Sequence, residues 1–124
     1  MNAGDTFLSP SPGSRDAQHL WIVITSSNVQ GKCAIVNVTS YDPNDDRSCV
    51  LQPGDHPFVR HPSVVRYQGA TIADAGLIER AIREGVVKAR GAVSPDVLRR
   101  VQEGALLSKY TENGVKDAVR VEFA

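Results

Sequence analysis

The first half of the chain alternates short apolar runs with polar segments rich in turn-forming residues. Apolar runs of four to ten residues, rich in β-branched and aromatic side chains and bounded by such turns, are typical of β-strands. They predict strands at positions 5–10, 19–25, 33–40, 49–52 and 63–72. Gly69 lies inside the last run, where a glycine favours a β-bulge. Consecutive short strands joined by tight loops indicate a small, partly open antiparallel barrel.

The second half of the chain changes to a helical period. At positions 73–85, Leu77, Ile78, Ala81 and Ile82 lie on one stripe of an amphipathic helix. A second helix is predicted to begin at Pro95, because Ser94 before it is a favoured N-cap residue and proline suits the first helical position. Residues 86–93 are predicted to form a linker or short strand, and residues 111–124 a final turn and strand.

Strands followed by helices, without a β-α-β alternation, indicate the α+β class. The predicted fold is therefore a small antiparallel β-barrel followed by two amphipathic α-helices. A chain of 124 residues fits one domain. We expect a single domain over 1–124, with the barrel core at about 3–72 and the helical part at about 73–124.

Composition excludes several classes of function without selecting one. The net charge is zero at neutral pH, so no overall charge attracts the protein to nucleic acid or to a membrane surface. No apolar run approaches the roughly 20 residues of a membrane-spanning helix. No basic segment followed by an apolar stretch opens the chain, so we expect a cytoplasmic protein. Cys33 and Cys49 lie in apolar runs and are predicted to be buried reduced thiols, with a disulfide as the alternative.

Side chains that can transfer protons cluster near the ends of the predicted strands. If strands 19–25 and 33–40 form an antiparallel hairpin, the start of the first lies beside the end of the second. His19 then meets Thr39 and Ser40 at one end of the barrel. An alternative interpretation is a capping histidine beside hydroxyls that only form turns.

The segment "PGDHPF" (53–58) interrupts the strands and carries a second imidazole. We expect this rigid insert to present His56 towards His19 and Thr39. In the alternative, Asp55 closes a turn, His56 binds nearby backbone groups and Phe58 anchors the loop in the core. The next histidine, His61, is predicted to be a surface residue, and no metal site is predicted.

The order of these features resembles the PemK/MazF-like toxin family. The segment "AGDTFLSP" resembles the family's opening strand, and "SPGSRDAQHLWIVIT" its charged first loop and the strand after it. The segment "AIVNVTS" resembles the strand that ends in the family's Thr-Ser pair. The resemblance covers residues 3–40, and the rest of the chain agrees in general layout. His19 stands where the family has an arginine, and Leu20 replaces the proline that follows it.

This resemblance implies an SH3-like barrel, a homodimer, and cleavage of single-stranded RNA without a metal or other cofactor. It also implies an antitoxin protein as a partner. The family's catalytic threonine corresponds to Thr39. The departure at His19 leaves Arg15, four residues upstream, as the arginine that could reach the site from the loop.

Metal-independent RNA cleavage requires a base, an acid and donors to the phosphate. We expect His19 to serve as base or acid and His56 as its counterpart, because imidazole titrates near neutrality. Arg15 or Arg60 would bind the phosphate, and Thr39 and Ser40 would donate to its oxygens. The alternative function is a non-catalytic SH3-like module that docks a protein or peptide partner.

Overall fold

The computed structural model describes residues 1–10 and 18–124. Within those residues, the chain forms six β-strands and three α-helices. The strands are β1 (Asp5–Pro10), β2 (Gln18–Val23), β3 (Lys32–Ser40), β4 (Val50–Leu51), β5 (Ser63–Asp74) and β6 (Lys88–Ala92). The helices are α1 (Ala75–Arg83), α2 (Pro95–Leu107) and α3 (Asn113–Phe123). None of the described helices is both long and apolar enough to cross a membrane.

The strands form one antiparallel sheet in the order β4-β5-β3-β2-β1-β6. β2 and β3 pair as the predicted hairpin, with Leu20 opposite Val38. β5 changes register against β3 between Ile35 and Asn37 of β3, so extra residues of β5, Gly69 among them, bulge out of the ladder. The predicted α+β class and the predicted bulge at Gly69 are confirmed.

Each face of the sheet has its own apolar cluster, because successive side chains of a strand point to opposite faces. On the inner face, Leu20, Ile22, Val36 and others pack against α2 and α3. On the outer face, Phe7, Val23, Cys33 and Ile35 pack with Ile78, Ala81 and Ile82 of α1. Three of the four residues of the predicted α1 stripe thus pack there, and the fourth, Leu77, is 64% exposed. Because α1 contacts only one end of the outer face, the same face of β2 and β3 continues past it into polar residues.

Helix caps follow the sequence closely at two of the three helices. Ser94 accepts a hydrogen bond from the backbone N–H of Val97, and Pro95 begins α2 as predicted. Asp74 caps α1 by accepting from the backbone N–H groups of Gly76 and Leu77. The Leu77 bond lowers the pKa of Asp74, and Lys32 acts in the same direction.

Two elements differ from the prediction for the second half. The last segment is a helix, α3, and not a turn and strand, because Val115 and Val119, one helical turn apart, are both fully buried in the inner core. Residues 88–92 form β6, which is the short strand predicted as one alternative for 86–93, but it pairs with β1 and so joins the sheet although it lies within the predicted helical part.

The loop after β4 connects the two edges of the sheet. β4 lies at one edge and β6 at the other, and no ladder joins them within the described residues. His56, in the loop after β4, places its Nε2 atom 3.0 Å from the carbonyl oxygen of Arg90 in β6. The same nitrogen lies 3.0 Å from the Thr6 hydroxyl of β1. A side chain thus bridges the opening of the curled sheet.

Candidate functional site

The polar end of the outer face lies where β2 begins and β3 ends. Continuing the register from the pair Leu20–Val38 by one residue places His19 beside Thr39. The Nδ1 atom of His19 lies 3.4 Å from the carbonyl oxygen of Val38. A carbonyl can only accept, so in this long contact Nδ1 carries the proton and Nε2 is left as an acceptor. The hairpin therefore brings an imidazole and a hydroxyl together, as the sequence predicts.

A second imidazole, that of His61, reaches the same end of the sheet. Its Nε2 atom lies 2.8 Å from the hydroxyl oxygen of Ser40. The Ser63 hydroxyl donates to the His61 carbonyl at 3.0 Å. The N–H of Tyr41 donates to the carbonyl of Pro62, which fixes the loop where it enters β5. Backbone and side-chain bonds together hold His61 next to the end of β3.

These groups line one cavity of about 230 Å³. Its walls are formed by Gln18, His19, Val38, Thr39, Ser40, Phe58, Val59, His61 and Ser63. Phe58 is 44% exposed and therefore forms part of the rim rather than the core. We refer to His19, Thr39, Ser40 and His61 as the two-histidine site. Two groups able to transfer protons and two hydroxyl donors thus face one solvent-accessible space.

A second cavity, of about 420 Å³, adjoins the two-histidine site. It shares His19 and Thr39 with the first cavity and is otherwise lined by Pro10, Trp21, Asn37, Arg66 and Gly69. Arg66 is exposed, and no ion pair involves it within the described part of the chain. This cavity combines an aromatic wall, a cation and an amide.

Carboxylates border the other side of Thr39. A third cavity, of about 350 Å³, is lined by Thr39, Arg66 and the three aspartates Asp42, Asp45 and Asp46. Partial burial acts to raise the pKa of Asp46, but hydrogen bonds from Ser108 and Ser48 outweigh it and lower that pKa. Asp46 is therefore ionised at neutral pH, and this side of the site is negative.

His56 is not part of the two-histidine site. The side chain is 3% exposed and its ring makes contacts on both nitrogens. Nδ1 accepts the backbone N–H of Phe58 at 3.0 Å, so the proton resides on Nε2, which faces the carbonyl of Arg90. This placement corrects the expectation that His56 faces His19 and Thr39. The backbone groups of its own loop and of β6 bind the ring, as the alternative interpretation proposed.

Comparisons by sequence do not place the chain in a family: no family model matches it, and no curated protein matches it. By structure, it is similar to a chain of the MazE–MazF crystal structure (Form-III) from Deinococcus radiodurans. The TM-score is 0.56 at 19% sequence identity, and the alignment covers 86% of this chain and 95% of that chain. The chain has a MazF/PemK-like fold. The resemblance noted in the sequence is confirmed at the level of the fold.

Arg15 and Arg60 are the two arginines predicted to bind the phosphate. Arg15 falls outside the described residues. Arg60 is exposed and precedes His61 in the loop, but it does not line the cavities of the two-histidine site. Its contact with a substrate stays a prediction. His19, which the sequence resemblance sets at the position of the family's arginine, lies beside Thr39.

Three residues that line these cavities were not predicted to belong to the site: Asn37, Arg66 and His61, whose predicted surface position is confirmed. A signal for Asn37 was present, because it lies two residues before Thr39 in a strand and so shares its face. Arg66 lies opposite Asn37 in the ladder. His61 had no comparable signal, since its position depends on a loop outside any periodic segment.

Proposed function

We propose that the protein is a PemK/MazF-like toxin of a toxin–antitoxin system that cleaves single-stranded RNA by transesterification without a metal ion. The observation that carries this proposal is the pair of imidazoles, His19 and His61, in one cavity with the hydroxyls of Thr39 and Ser40. The MazF/PemK-like fold supports it. His61 replaces His56 as the expected partner of His19.

His19 suits the role of base. With its proton on Nδ1, the free Nε2 atom takes the proton of the ribose 2′-hydroxyl. The 2′-oxygen then attacks the phosphorus atom, and the bond from phosphorus to the 5′-oxygen breaks. The products are a 2′,3′-cyclic phosphate on one fragment and a 5′-hydroxyl on the other.

His61 suits the role of acid. In its protonated form both ring nitrogens carry a proton, so one can donate to the leaving 5′-oxygen. The contact between Nε2 and the Ser40 hydroxyl keeps the ring in place during this transfer. His19 has gained one proton and His61 has lost one, and exchange with water restores both.

The hydroxyls of Thr39 and Ser40 would donate to the non-bridging oxygens as charge builds up on the phosphorane. Arg60, exposed beside His61, would bind a flanking phosphate. Phe58 on the rim offers a surface on which an unpaired base can stack, which favours single-stranded RNA. The carboxylates beyond Thr39 repel phosphate, so the RNA backbone would leave the site on the side of His61.

The similarity to a MazE–MazF structure supports two further parts of the proposal, an antitoxin partner and a homodimer. Sedimentation equilibrium of the purified protein tests the second part. A mass of one chain at all concentrations would contradict it.

The test of the reaction uses a labelled mixed-sequence RNA in the presence of EDTA. We expect cleavage by the wild type, fragments that end in a 2′,3′-cyclic phosphate, and no cleavage at positions that carry 2′-deoxyribose. His19→Gln and His61→Gln should each lower the rate by about 10²–10⁴-fold. Thr39→Val should lower it as well. Arg120→Ala is the matched control, since this exposed residue lies on α3, which packs against the opposite face of the sheet.

Unchanged cleavage by both histidine variants would remove the two-histidine site from the reaction. If the wild type cleaves no RNA, the proposed activity is wrong, and the alternative of a non-catalytic binding module takes its place.

A further inference from the structure

The second cavity contains a buried polar group whose hydrogen-bonding capacity is unused. Asn37 is 7% exposed, and its Oδ1 atom has no hydrogen-bond partner among the described residues. An amide oxygen left without a donor in a protein interior destabilises the fold, because the hydrogen bond that water made to it is lost and not replaced. Such a group requires an explanation, and a ligand that supplies an N–H donor is one. Asn37 lines the cavity, so a ligand that enters there and displaces a neighbouring side-chain end contacts this atom.

A hydrogen-bond donor, the guanidinium of Arg66, lies next to this acceptor. A Cβ atom built on Gly69 would lie 2.7 Å from Oδ1 of Asn37 and 2.8 Å from Nη1 of Arg66. The two atoms therefore flank the same point above Gly69, and the absence of a side chain at Gly69 allows both of them to approach it this closely. The bulge of β5 brings Gly69 to this place opposite β3.

The third component is aromatic. Trp21 lines the cavity, and its ring stacks on that of Phe7 with centroids 6.4 Å apart and an interplanar angle of 7°. The stack holds the indole in a fixed orientation while part of the side chain stays exposed. A rigid aromatic wall is suited to a flat ring system.

We propose that this cavity is a nucleobase-binding subsite, in which Asn37 accepts from a base N–H and Arg66 donates to the adjacent base acceptor. The edges of nucleobases present donors and acceptors side by side in this way. The inference rests on the proposed function. Because the cavity shares His19 and Thr39 with the two-histidine site, the base belongs to a nucleotide that adjoins the cleaved phosphate. Asn37, Arg66 and Gly69 then determine the sequence preference of the enzyme.

The test measures binding without cleavage. Trp21 is the only tryptophan of the chain, so its fluorescence reports directly on this cavity. The probes are five 2′-O-methyl trinucleotides, which lack the attacking hydroxyl. Four carry one of the natural bases between two abasic positions, and the fifth is abasic throughout. We expect saturable quenching, with at least one base binding about tenfold tighter than the abasic probe.

Two variants and a matched control assign the preference to the cavity. Asn37→Leu removes the acceptor. Gly69→Ala places a methyl group between Oδ1 and Nη1, which displaces both side-chain ends without moving the backbone. Both should abolish the tenfold preference for the base. Gly114→Ala adds the same methyl group where its nearest neighbour is 3.8 Å away, and should preserve the preference.

Equal affinity for all five probes, no binding of any probe, or a preference that survives in both variants would each overturn the subsite. These outcomes are separable from the fate of the proposed function. RNA cleavage by a protein that binds all five probes equally would retain the activity and refute the subsite. Base-dependent binding by a protein that cleaves no RNA would retain the subsite and refute the proposed activity.

Discussion

Replacing His56 with alanine should lower the free energy of unfolding and leave RNA cleavage at the two-histidine site nearly unchanged. The ring joins the loop after β4 to Arg90 of β6 and to Thr6 of β1, and accepts the N–H of Phe58. Phe58 lies on the rim of the cavity, but none of these contacts involves His19, Thr39, Ser40 or His61. The variant therefore tests whether His56 stabilises the fold without taking part in the proposed reaction.

The size of the effect follows from the groups left behind. Without the ring, the Phe58 N–H and the Arg90 carbonyl each lose a partner, at about 1–3 kcal/mol for a fully buried group. Both bonds are only partly buried, so water can replace some of the loss. The truncated side chain also leaves a cavity. We therefore expect the free energy of unfolding to fall by roughly 2–4 kcal/mol, out of a total of about 5–15 kcal/mol for a small domain.

Urea unfolding followed by circular dichroism measures this change. A loss of about 3 kcal/mol lowers the urea midpoint by roughly 1–3 M. His56→Asn keeps an acceptor near Nδ1 and His56→Gln a donor near Nε2, so each should recover part of the loss. His61→Gln is the converse variant. Because this side chain is exposed, the variant should leave the urea midpoint unchanged and lower the cleavage rate by about 10²–10⁴-fold.

Cleavage by His56→Ala, measured without urea, should stay within a few-fold of the wild type, since the loop that carries His61 is loosened but not removed. The reasoning is refuted if this variant unfolds at the wild-type midpoint and yet cleaves no RNA. That result would make His56 a participant in the chemistry.

Three further predictions concern stability and reactivity. Gly104→Ala should lower the free energy of unfolding by about 1–3 kcal/mol in urea titrations, because its Cβ would lie 2.9 Å from the Cβ of Cys49 and crowd the Tyr67 ring; a neutral effect would contradict this packing. Burial raises the pKa of Cys49 to about 11, so at pH 8 native Cys49 should react with Ellman's reagent roughly a hundredfold more slowly than after unfolding in urea. The pKa of Asp74 is lowered in the folded state, so its ionised carboxylate stabilises the fold. This stabilisation is fully present above the unfolded pKa of about 4 and is lost as the pH falls through the lower folded pKa. Thermal unfolding of Asp74→Asn between pH 2 and pH 6 should therefore show a weaker loss of stability in acid than the wild type, and an identical acid limb would exclude Asp74.

Local sequence patterns predicted those elements that depend only on residues close together in the chain. The hairpin of β2 and β3 follows from two apolar runs and a turn, and it places His19 beside Thr39. The start of α2 follows from Ser94 and Pro95. In α3 the local signals conflict, because valines favour strands and Glu112 makes no side-chain capping bond. Burial of Val115 and Val119 in the inner core stabilises the helix over the strand.

The positions of His56 and His61 show what local sequence patterns do not predict. The two residues lie five positions apart in one loop, and each is followed by proline. Their directions depend on partners far along the chain: Arg90 is 34 residues from His56, and Ser40 is 21 residues from His61. No periodic pattern contains that information, because a loop has no regular face.

The bridge made by His56 also bears on how the protein avoids association through its sheet. A β-strand at a sheet edge offers unpaired backbone groups to any other chain, and natural proteins protect such edges. All five residues of β6 are exposed, among them Lys88, Arg90 and a glycine with a positive φ at Gly91. Charged side chains and an irregular backbone discourage strand addition. The imidazole of His56 also donates a hydrogen bond to the Arg90 carbonyl, so this acceptor is already paired. The contact that holds the loop in place thus also helps to keep the edge from becoming a template for aggregation.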